Sequence, residues 1–302
     1  MISCKRFTRL SIMMLWMCGL MTSCIKEDLR DCPLAYRLYV KAIDVDGNDI
    51  TTSGDVREMS LFVFNDTGEM VDIIRVDGDH VKSRKSINFD VGYPGSESYT
   101  FVAWANSQNA SVVVPDPSHI KRLEDLSITL SRKGNMGLSP DDLFYGKLEV
   151  PTQYGGLGYA PDQTIVVMRK TCQVNVEVKH LKEWNHHLEG KYSLVLRETL
   201  DTYDHEGKLI GNNVSYIPAV TMEDGVLRAP SFRTFPTAQG KSFELDILYE
   251  GKVIFTATMD SKGEPFVPEV GRMLNIHLNF GASVSVRSVV TPWNVIHQFV
   301  EY

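Results

Sequence analysis

Hydrophobic residues recur at every second position along most of this chain. From Leu34 to Ala42 apolar side chains alternate with mostly polar ones, and Cys172 to Val178 repeats the pattern. Because successive side chains of a strand point to opposite faces, a period of two predicts strands with one buried face. Helical spacing of apolar residues occurs between Pro115 and Leu126, which predicts one short helix. The pattern as a whole predicts an all-β chain.

Turn sequences divide the alternating pattern into hairpins. "NDTG" at Asn65–Gly68 separates two apolar runs, as do "DHEG" at Asp204–Gly207 and "YEGK" at Tyr249–Lys252. Further strands are predicted from Leu274 to Phe280 and from Val284 to Val289. Short strands joined by such turns predict antiparallel β-sandwiches.

The N-terminus differs from the rest of the chain. Lys5, Arg6 and Arg9 precede an uncharged, mostly apolar run from Leu10 to Met21. At 1.5 Å per residue that run extends about 18 Å as a helix, which is too short for a hydrocarbon core of roughly 30 Å. A basic start, a short apolar run and small residues after it are typical of a secretory signal peptide, here residues 1–23.

The signal peptide ends in "MTSC", Met21 to Cys24. This segment resembles a bacterial lipobox, in which cleavage falls between Ser23 and Cys24. The Cys24 thiol then carries a diacylglyceryl group as a thioether, and two or more acyl chains give stable membrane attachment. We therefore expect a lipoprotein tethered through Cys24. The alternative is an ordinary secreted protein with Cys24 near its new N-terminus.

Three charged residues, Lys26, Glu27 and Asp28, follow the lipobox closely. They resemble the short export signal that directs Bacteroidetes lipoproteins to the outer face of the outer membrane. This resemblance predicts a lipid-anchored protein exposed at the cell surface. The alternative is a solvated tether with no targeting role.

A Gly- and Pro-rich stretch between Leu148 and Gln163, containing "PTQYGGLGYAPDQ", interrupts the strand pattern. Such composition is typical of a linker or a long loop. We therefore predict a tether at residues 24–33, a first β-sandwich domain at residues 34–160 and a second at residues 161–302.

Charge and short motifs exclude several classes of function. Removal of residues 1–23 leaves 28 basic and 38 acidic residues, which moves the formal charge from −7 to −10 and argues against a nucleic-acid partner.

The acidic stretch from Asp44 has Gly47 in fourth place, which does not fit an EF-hand loop. Adjacent His186 and His187 would point to opposite faces of an extended segment. With no catalytic motif either, we expect no enzyme, metal or cofactor.

Two cysteines, Cys32 and Cys172, remain once the signal peptide and the lipid site are set aside. In an oxidising compartment they could form a disulfide. Cys172 lies within an apolar strand, where a buried free thiol is slightly favoured. Both alternatives stay open.

Four segments of the chain resemble the fimbrillin-associated anchor family of Bacteroidetes. They are "CIKEDLRDCP" from Cys24, "DLFYG" from Asp142, "MRKTCQVNVEVKHL" from Met168 and "VVTPWNVIHQFVEY" from Val289. The resemblance extends over essentially the whole mature chain. It implies two tandem transthyretin-like β-sandwich domains in a non-enzymatic, lipid-anchored minor subunit at the base of a fimbrium. Such a subunit would hold pilin subunits of the shaft on the outer membrane and influence fimbrial length and retention.

The same resemblance implies a way to join the shaft. In related shaft subunits a protease removes the N-terminal strand, and a neighbour's C-terminal strand fills the groove by β-augmentation. An anchor cut in this way would lose its lipid, so we expect Leu34 to Ala42 to stay in place and the tail from Thr291 to act as donor. The donor residues would be Trp293, Val295 and Phe299 on one face and Ile296, Val300 and Tyr302 on the other. The alternative is that the tail is the last strand of its own domain.

A second class of function, surface glycan binding, is also compatible with tandem β-sandwiches on a lipoprotein. Exposed Trp104, Trp184 or Trp293 could stack on sugar rings. Each could equally be a core residue, and Trp104 lies in an apolar strand that favours core packing.

Overall fold

The computed structural model describes residues 29–92, 95–156 and 158–300. Most of the regular structure is strand, which confirms the all-β prediction. The strands are β1 (Tyr36–Ile43), β2 (Glu58–Asn65), β3 (Met70–Asp77), β4 (Ile87–Phe89), β5 (Ser98–Ala105), β6 (Val112–Val113), β7 (Ile128–Leu130), β8 (Arg132–Lys133), β9 (Met136–Gly137), β10 (Phe144–Pro151), β11 (Gln163–Arg169), β12 (Cys172–Lys179), β13 (Tyr192–Tyr203), β14 (Leu209–Tyr216), β15 (Thr221–Glu223), β16 (Val226–Thr234), β17 (Glu244–Tyr249), β18 (Lys252–Ala257), β19 (Arg272–Phe280) and β20 (Val284–Pro292). Two short helices are α1 (Gly78–Lys82) and α2 (Leu181–Trp184), and 3₁₀ turns occur at Leu29–Asp31, Thr51–Ser53, Pro117–His119 and Leu123–Asp125.

A seven-stranded sheet has the order β3-β2-β5-β10-β11-β1-β4. Its β2 and β5 are buried on both faces, so their sequences are nearly continuous apolar runs instead of alternating ones. On one face Leu61 and Phe101 pack in a cluster with β1. On the other, Phe62 and Trp104 pack against residues of the following sheets.

Two further sheets pack against each other as a sandwich. One has the order β15-β16-β12-β19-β20 and the other β18-β17-β13-β14-β9-β8. Val176 of β12 and Ile276 of β19 share a buried cluster with Leu194 of β13 and Ile247 of β17. The alternating pattern of these strands places their apolar residues in this interface.

The segment from β6 to β9 links the sheets. β7 pairs with β13, and β9 pairs with β14, although both precede β10 in the chain. Ile128 and Leu130 therefore lie in the same core cluster as Leu194 and Leu196. The first half of the chain thus contributes strands to this sandwich.

The predicted helix between Pro115 and Leu126 is wrong. The stretch contains two 3₁₀ turns, separated by residues 120–122, of which Ile120 and Arg122 are extended. The backbone N–H of Met70 donates to the Lys121 carbonyl, and the Leu123 N–H donates to Gly68. These bonds pair the stretch with the β2–β3 turn, and that tertiary pairing replaces the hydrogen bonds of a helix.

The three predicted hairpins are confirmed as β2–β3, β13–β14 and β17–β18. The boundary at residue 160 stays a prediction. β11 begins just after it, at Gln163, and pairs with both β1 and β10 of the seven-stranded sheet. That pairing favours a boundary at the short step between Arg169 and Cys172.

Candidate functional site

The candidate functional regions lie at the two ends of the chain. The predicted lipid and export residues, Ser23, Cys24, Lys26, Glu27 and Asp28, and the last predicted donor residue, Tyr302, lie outside the described residues. The described chain begins with the 3₁₀ turn Leu29–Asp31, where Leu29 accepts a hydrogen bond of 3.0 Å from the Cys32 N–H. The first strand follows within a few residues of that turn.

Strand β1 is hydrogen-bonded on both sides. It runs parallel to β11 from Leu38 to Ile43 and antiparallel to β4 from Tyr36 to Leu38. Its even-numbered side chains are buried, and the Tyr36 hydroxyl donates to the Pro151 carbonyl at 2.8 Å. Burial is the main cause that raises the pKa of Tyr36, so this hydroxyl stays a proton donor. The strand is therefore an integral part of its sheet.

Loss of β1 would be costly. It would expose the apolar side chains of Tyr36, Leu38 and Val40, each of which contributes roughly 1.5–3 kcal/mol by burial. It would also leave the facing edges of β4 and β11 without partners. The structure thus holds the first strand of the described chain firmly in its sheet.

The C-terminal tail has a different arrangement. Thr291 and Pro292 end β20, whereas residues 293–300 form neither a helix nor a strand. The tail crosses the outer face of β12 and β19 instead of continuing β20. The sequence left open that the tail is the last strand of its own domain. In the structure only Thr291 and Pro292 belong to such a strand.

Side chains, not a backbone ladder, hold the tail. The Asn294 N–H donates to Gln173 at 2.9 Å, and the His297 N–H donates to Asn275 at 3.1 Å. The Val300 carbonyl accepts from Arg287 at 3.0 Å. Among the described residues of the tail, 293–300, no strand pairing holds the backbone.

Two aromatic rings anchor the tail. The Trp293 ring lies 4.8 Å from the Arg169 guanidinium. The Phe299 ring stacks on His277, with 5.1 Å between centroids, and also lies 5.1 Å from the Arg287 guanidinium. Each cation–π contact stabilises the docked tail by about 0.5–2 kcal/mol.

The remaining apolar residues of the tail face solvent. Val295, Ile296 and Val300 are 46%, 57% and 60% exposed. The face beneath the tail is polar, with Gln173 and Asn275 buried there. Because those groups can be hydrated, the tail can lift without uncovering a large apolar surface.

Arg169 lies where the tail meets the sheets. Its Nε donates to Asp142 at 2.9 Å, and its Nη2 donates to Asp55 at 2.5 Å. Burial raises the pKa of the Asp142 carboxyl, and the Arg169 guanidinium counteracts that rise. Thr171 also donates to Asp142, at 3.2 Å. We call Asp55, Asp142, Arg169 and Trp293 the arginine cluster.

Sequence reasoning missed the arginine cluster, although a signal for it existed. Asp142 comes from "DLFYG", Arg169 from "MRKTC" and Trp293 from the last of the segments quoted above. These three segments therefore meet at one place. Their separation along the chain concealed the contact.

Other predicted candidates have ordinary surroundings. Trp104 is fully buried, and Trp184 packs against Phe255 and Phe280. Trp184 is nevertheless 38% exposed, and Trp293 lies against Arg169. Within the described ranges Cys32 and Cys172 are free thiols, with Cys172 buried.

The described residues contain neither a metal-binding cluster nor a bilayer-spanning helix. No group of three or more His, Cys, Asp and Glu side chains there could hold a metal ion. In the same residues, no helix combines the length and the apolar character needed to cross a bilayer.

Comparison with known proteins agrees with this arrangement of strands. The family model of fimbrillin-A associated anchor proteins Mfa1 and Mfa2 matches residues 29–299. The major fimbrium anchoring subunit FimB of Porphyromonas gingivalis strain W83 is 36% identical over 298 residues, covering 97% of both chains. The solved structure of the fimbrial anchor protein Mfa2 from the same species superposes with a TM-score of 0.62 at 16% identity, covering 89% of this chain and all of that one. This chain belongs to the fimbrillin-A associated anchor protein family.

Proposed function

We propose that this protein is a non-enzymatic, lipid-anchored subunit that holds a fimbrium on the outer membrane. Family membership and the 36% identity to a fimbrium anchoring subunit support this role. That relative is named for the major fimbrium, so the proposal specifies a basal position and not membership of a minor fimbrium. Its partners are the pilin subunits of the shaft, and its abundance influences fimbrial length and retention.

The membrane attachment is a lipid on Cys24. Cleavage after Ser23 leaves Cys24 as the N-terminus, and its thioether-linked diacylglycerol with a further acyl chain holds the protein stably. Lys26, Glu27 and Asp28 then direct it to the outer face of the outer membrane. The short chain to Leu29 keeps the fold close to that membrane.

The observation that carries the proposal is the pairing of β1 on both sides. A subunit that released this strand would separate its fold from Cys24. An anchor therefore has to retain β1 and join its neighbour by another route. The exposed apolar residues of the tail offer that route by β-augmentation, with the tail as donor strand.

The test is to recover the detergent-solubilised protein from its native membrane, beside a Cys24→Ala variant. We expect pilin to co-purify with the wild type, and fimbriae to be shed into the medium by the variant. A Cys32→Ala variant is the matched control, because it removes a thiol but leaves the lipid site.

Recovery of the wild type without pilin would refute the anchor role. Retention of fimbriae by Cys24→Ala cells would refute attachment through Cys24. A Cys32→Ala variant that sheds fimbriae would show that the effect comes from thiol loss and not from lipid loss.

A further inference from the structure

The loop between β10 and β11 wraps around the chain that leads to the tether. Tyr154 bridges Pro33 in antiparallel orientation, and Tyr159 bridges Ala35 in parallel orientation. The Leu34 N–H donates to the Gln153 carbonyl at 2.7 Å. The loop therefore lies on both sides of the segment that emerges towards Cys24.

Both tyrosines project to the same face. Bridged residues point their side chains in the same direction, and Pro33 and Ala35 are two positions apart. Arg37 lies on the less buried face of β1, and its guanidinium is 5.0 Å from the Tyr159 ring. The two tyrosines therefore lie on the same side of the sheet as this outer face of β1. Tyr154 and Tyr159 are 50% and 46% exposed there. Two half-exposed aromatic rings thus flank the root of the tether.

The tether is short. Five residue steps separate Cys24 from Leu29, which is at most about 17 Å of extended chain. Leu29 is itself close to the loop, because a Cβ built on Gly156 would lie 3.7 Å from the Leu29 Cβ. A lipid on Cys24 would therefore hold the loop near the headgroups of the bilayer.

We propose that Tyr154 and Tyr159 form a membrane-contact surface that rests in the lipid headgroup region and orients the anchor; this rests on the proposed lipidation of Cys24. Tyrosine suits this layer because its ring is apolar and its hydroxyl can remain hydrated. Arg37, which lies against the Tyr159 ring, pairs with Asp162 at 2.8 Å, so this pair adds no net charge beside the tyrosines. The contact is accordingly aromatic in character and independent of lipid charge.

The experiment uses the full lipidated protein in vesicles of phosphatidylethanolamine and phosphatidylglycerol. Flotation first measures whether the protein is attached. Amide hydrogen exchange of residues 152–160 is then compared with that of the Cys24→Ala chain mixed with the same vesicles. We expect exchange about tenfold slower in the tethered protein, with the same ratio at about 1 M salt, where charge interactions are screened.

Two variants separate the tyrosines from general effects. The Tyr154→Ser/Tyr159→Ser protein should float normally and lose the slowed exchange, when compared with its own Cys24→Ala version. The Ile217→Ser/Val253→Ser protein, which alters exposed apolar residues elsewhere, should still show the slowed exchange. Comparing each variant with its own untethered form removes any local loosening of the loop.

The outcomes are distinguishable. A wild type that floats but shows equal exchange with and without the tether overturns the membrane contact and leaves lipid attachment intact. Slowed exchange that persists in the double tyrosine variant also overturns it. A wild type that does not float refutes lipid attachment at Cys24, and the contact fails with it because nothing then brings the loop to the bilayer.

Discussion

Arg169 has the most demanding environment among the charged residues near the tail. Its side chain is buried, yet it contacts two carboxylates and lies against the rings of Phe144 and Trp293. A buried charge is tolerated only when such partners replace its water. The same guanidinium therefore neutralises Asp142 and provides a docking surface for the tail.

We expect Arg169→Gln to lower the free energy of unfolding by about 3–5 kcal/mol, because Asp142 is left buried without its cation. Chemical denaturation measures this loss. The loss should shrink as the pH falls. Burial already raises the pKa of Asp142 in the folded protein above its ordinary value of 3.8. Protonation of Asp142 therefore stabilises the fold fully below pH 3.8, and this stabilisation is lost as the pH rises through the folded-state pKa. Without Arg169 that pKa rises further.

A matched control is Arg122→Gln, which breaks an exposed pair with Glu124 at 3.6 Å. It should change stability by less than about 1 kcal/mol and show no such pH dependence relative to the wild type. Equal losses for the two variants, at any pH, would contradict the role assigned to the Arg169–Asp142 pair.

At the scale of elements, β1 and the tail are held by opposite means. β1 has hydrogen-bonded strands on both sides and a buried apolar face. The tail has side-chain hydrogen bonds, two ring contacts and exposed apolar residues. Strand β1 is therefore fixed in its sheet, and the weaker contacts of the tail are compatible with the proposed donor role.

This contrast predicts that Val295→Ser/Ile296→Ser/Val300→Ser abolishes co-purification of pilin while leaving the Tm nearly unchanged. The three side chains are exposed in this structure, so their loss removes little packing. Deletion of residues 293–302 should also abolish co-purification, and should destabilise the fold by roughly 1–4 kcal/mol through loss of two cation–π contacts.

Val113→Ser/Val253→Ser is the matched control, because those valines are exposed on other strands. It should retain pilin. Intact shaft attachment in either tail variant would reject the donor role and leave the tail as a cover for β12 and β19.

At the scale of the molecule, the two ends of the chain act at opposite ends of one strand pair. The tether enters at the Tyr36 end of β1, whereas Arg169 and Trp293 lie beyond the Ile43–Met168 end. Eight residues of β1 span roughly 23 Å at about 3.3 Å per residue. The proposed membrane side and the docked tail therefore lie at opposite ends of this strand pair, an arrangement that fits the proposed basal position.

We expect replacement of Lys26, Glu27 and Asp28 by alanine to retain the lipid but keep the protein on the inner face of the outer membrane. Protease treatment of intact cells measures this, because only surface-exposed protein is digested. Lys26→Arg/Glu27→Asp/Asp28→Glu, which preserves the charges, should remain accessible. Equal digestion of both variants would show that these residues do not direct export.

The sequence alone determined the strands and the hairpins, and it predicts the lipid site. These features depend on neighbouring residues: alternation places side chains on two faces, and turn residues permit the reversal of the chain. The first strand and its burial pattern could be predicted for the same reason. The helix predicted between Pro115 and Leu126 rested on the local spacing of apolar residues. In the structure, hydrogen bonds to the β2–β3 turn take the place of those of a helix.

Only the tertiary structure decided how distant segments meet. Arg169 and Asp55 are 114 positions apart, and no local pattern indicates that they form a pair. The sheet order, with β1 beside β11 and β7 beside β13, brings such residues together through crossovers. Burial of Gln173 and Asn275 beneath the tail likewise depends on where the chain turns after Pro292. The physical reason is that alternation specifies which face of a strand is apolar, whereas pairing partners are chosen by the packing of the whole chain.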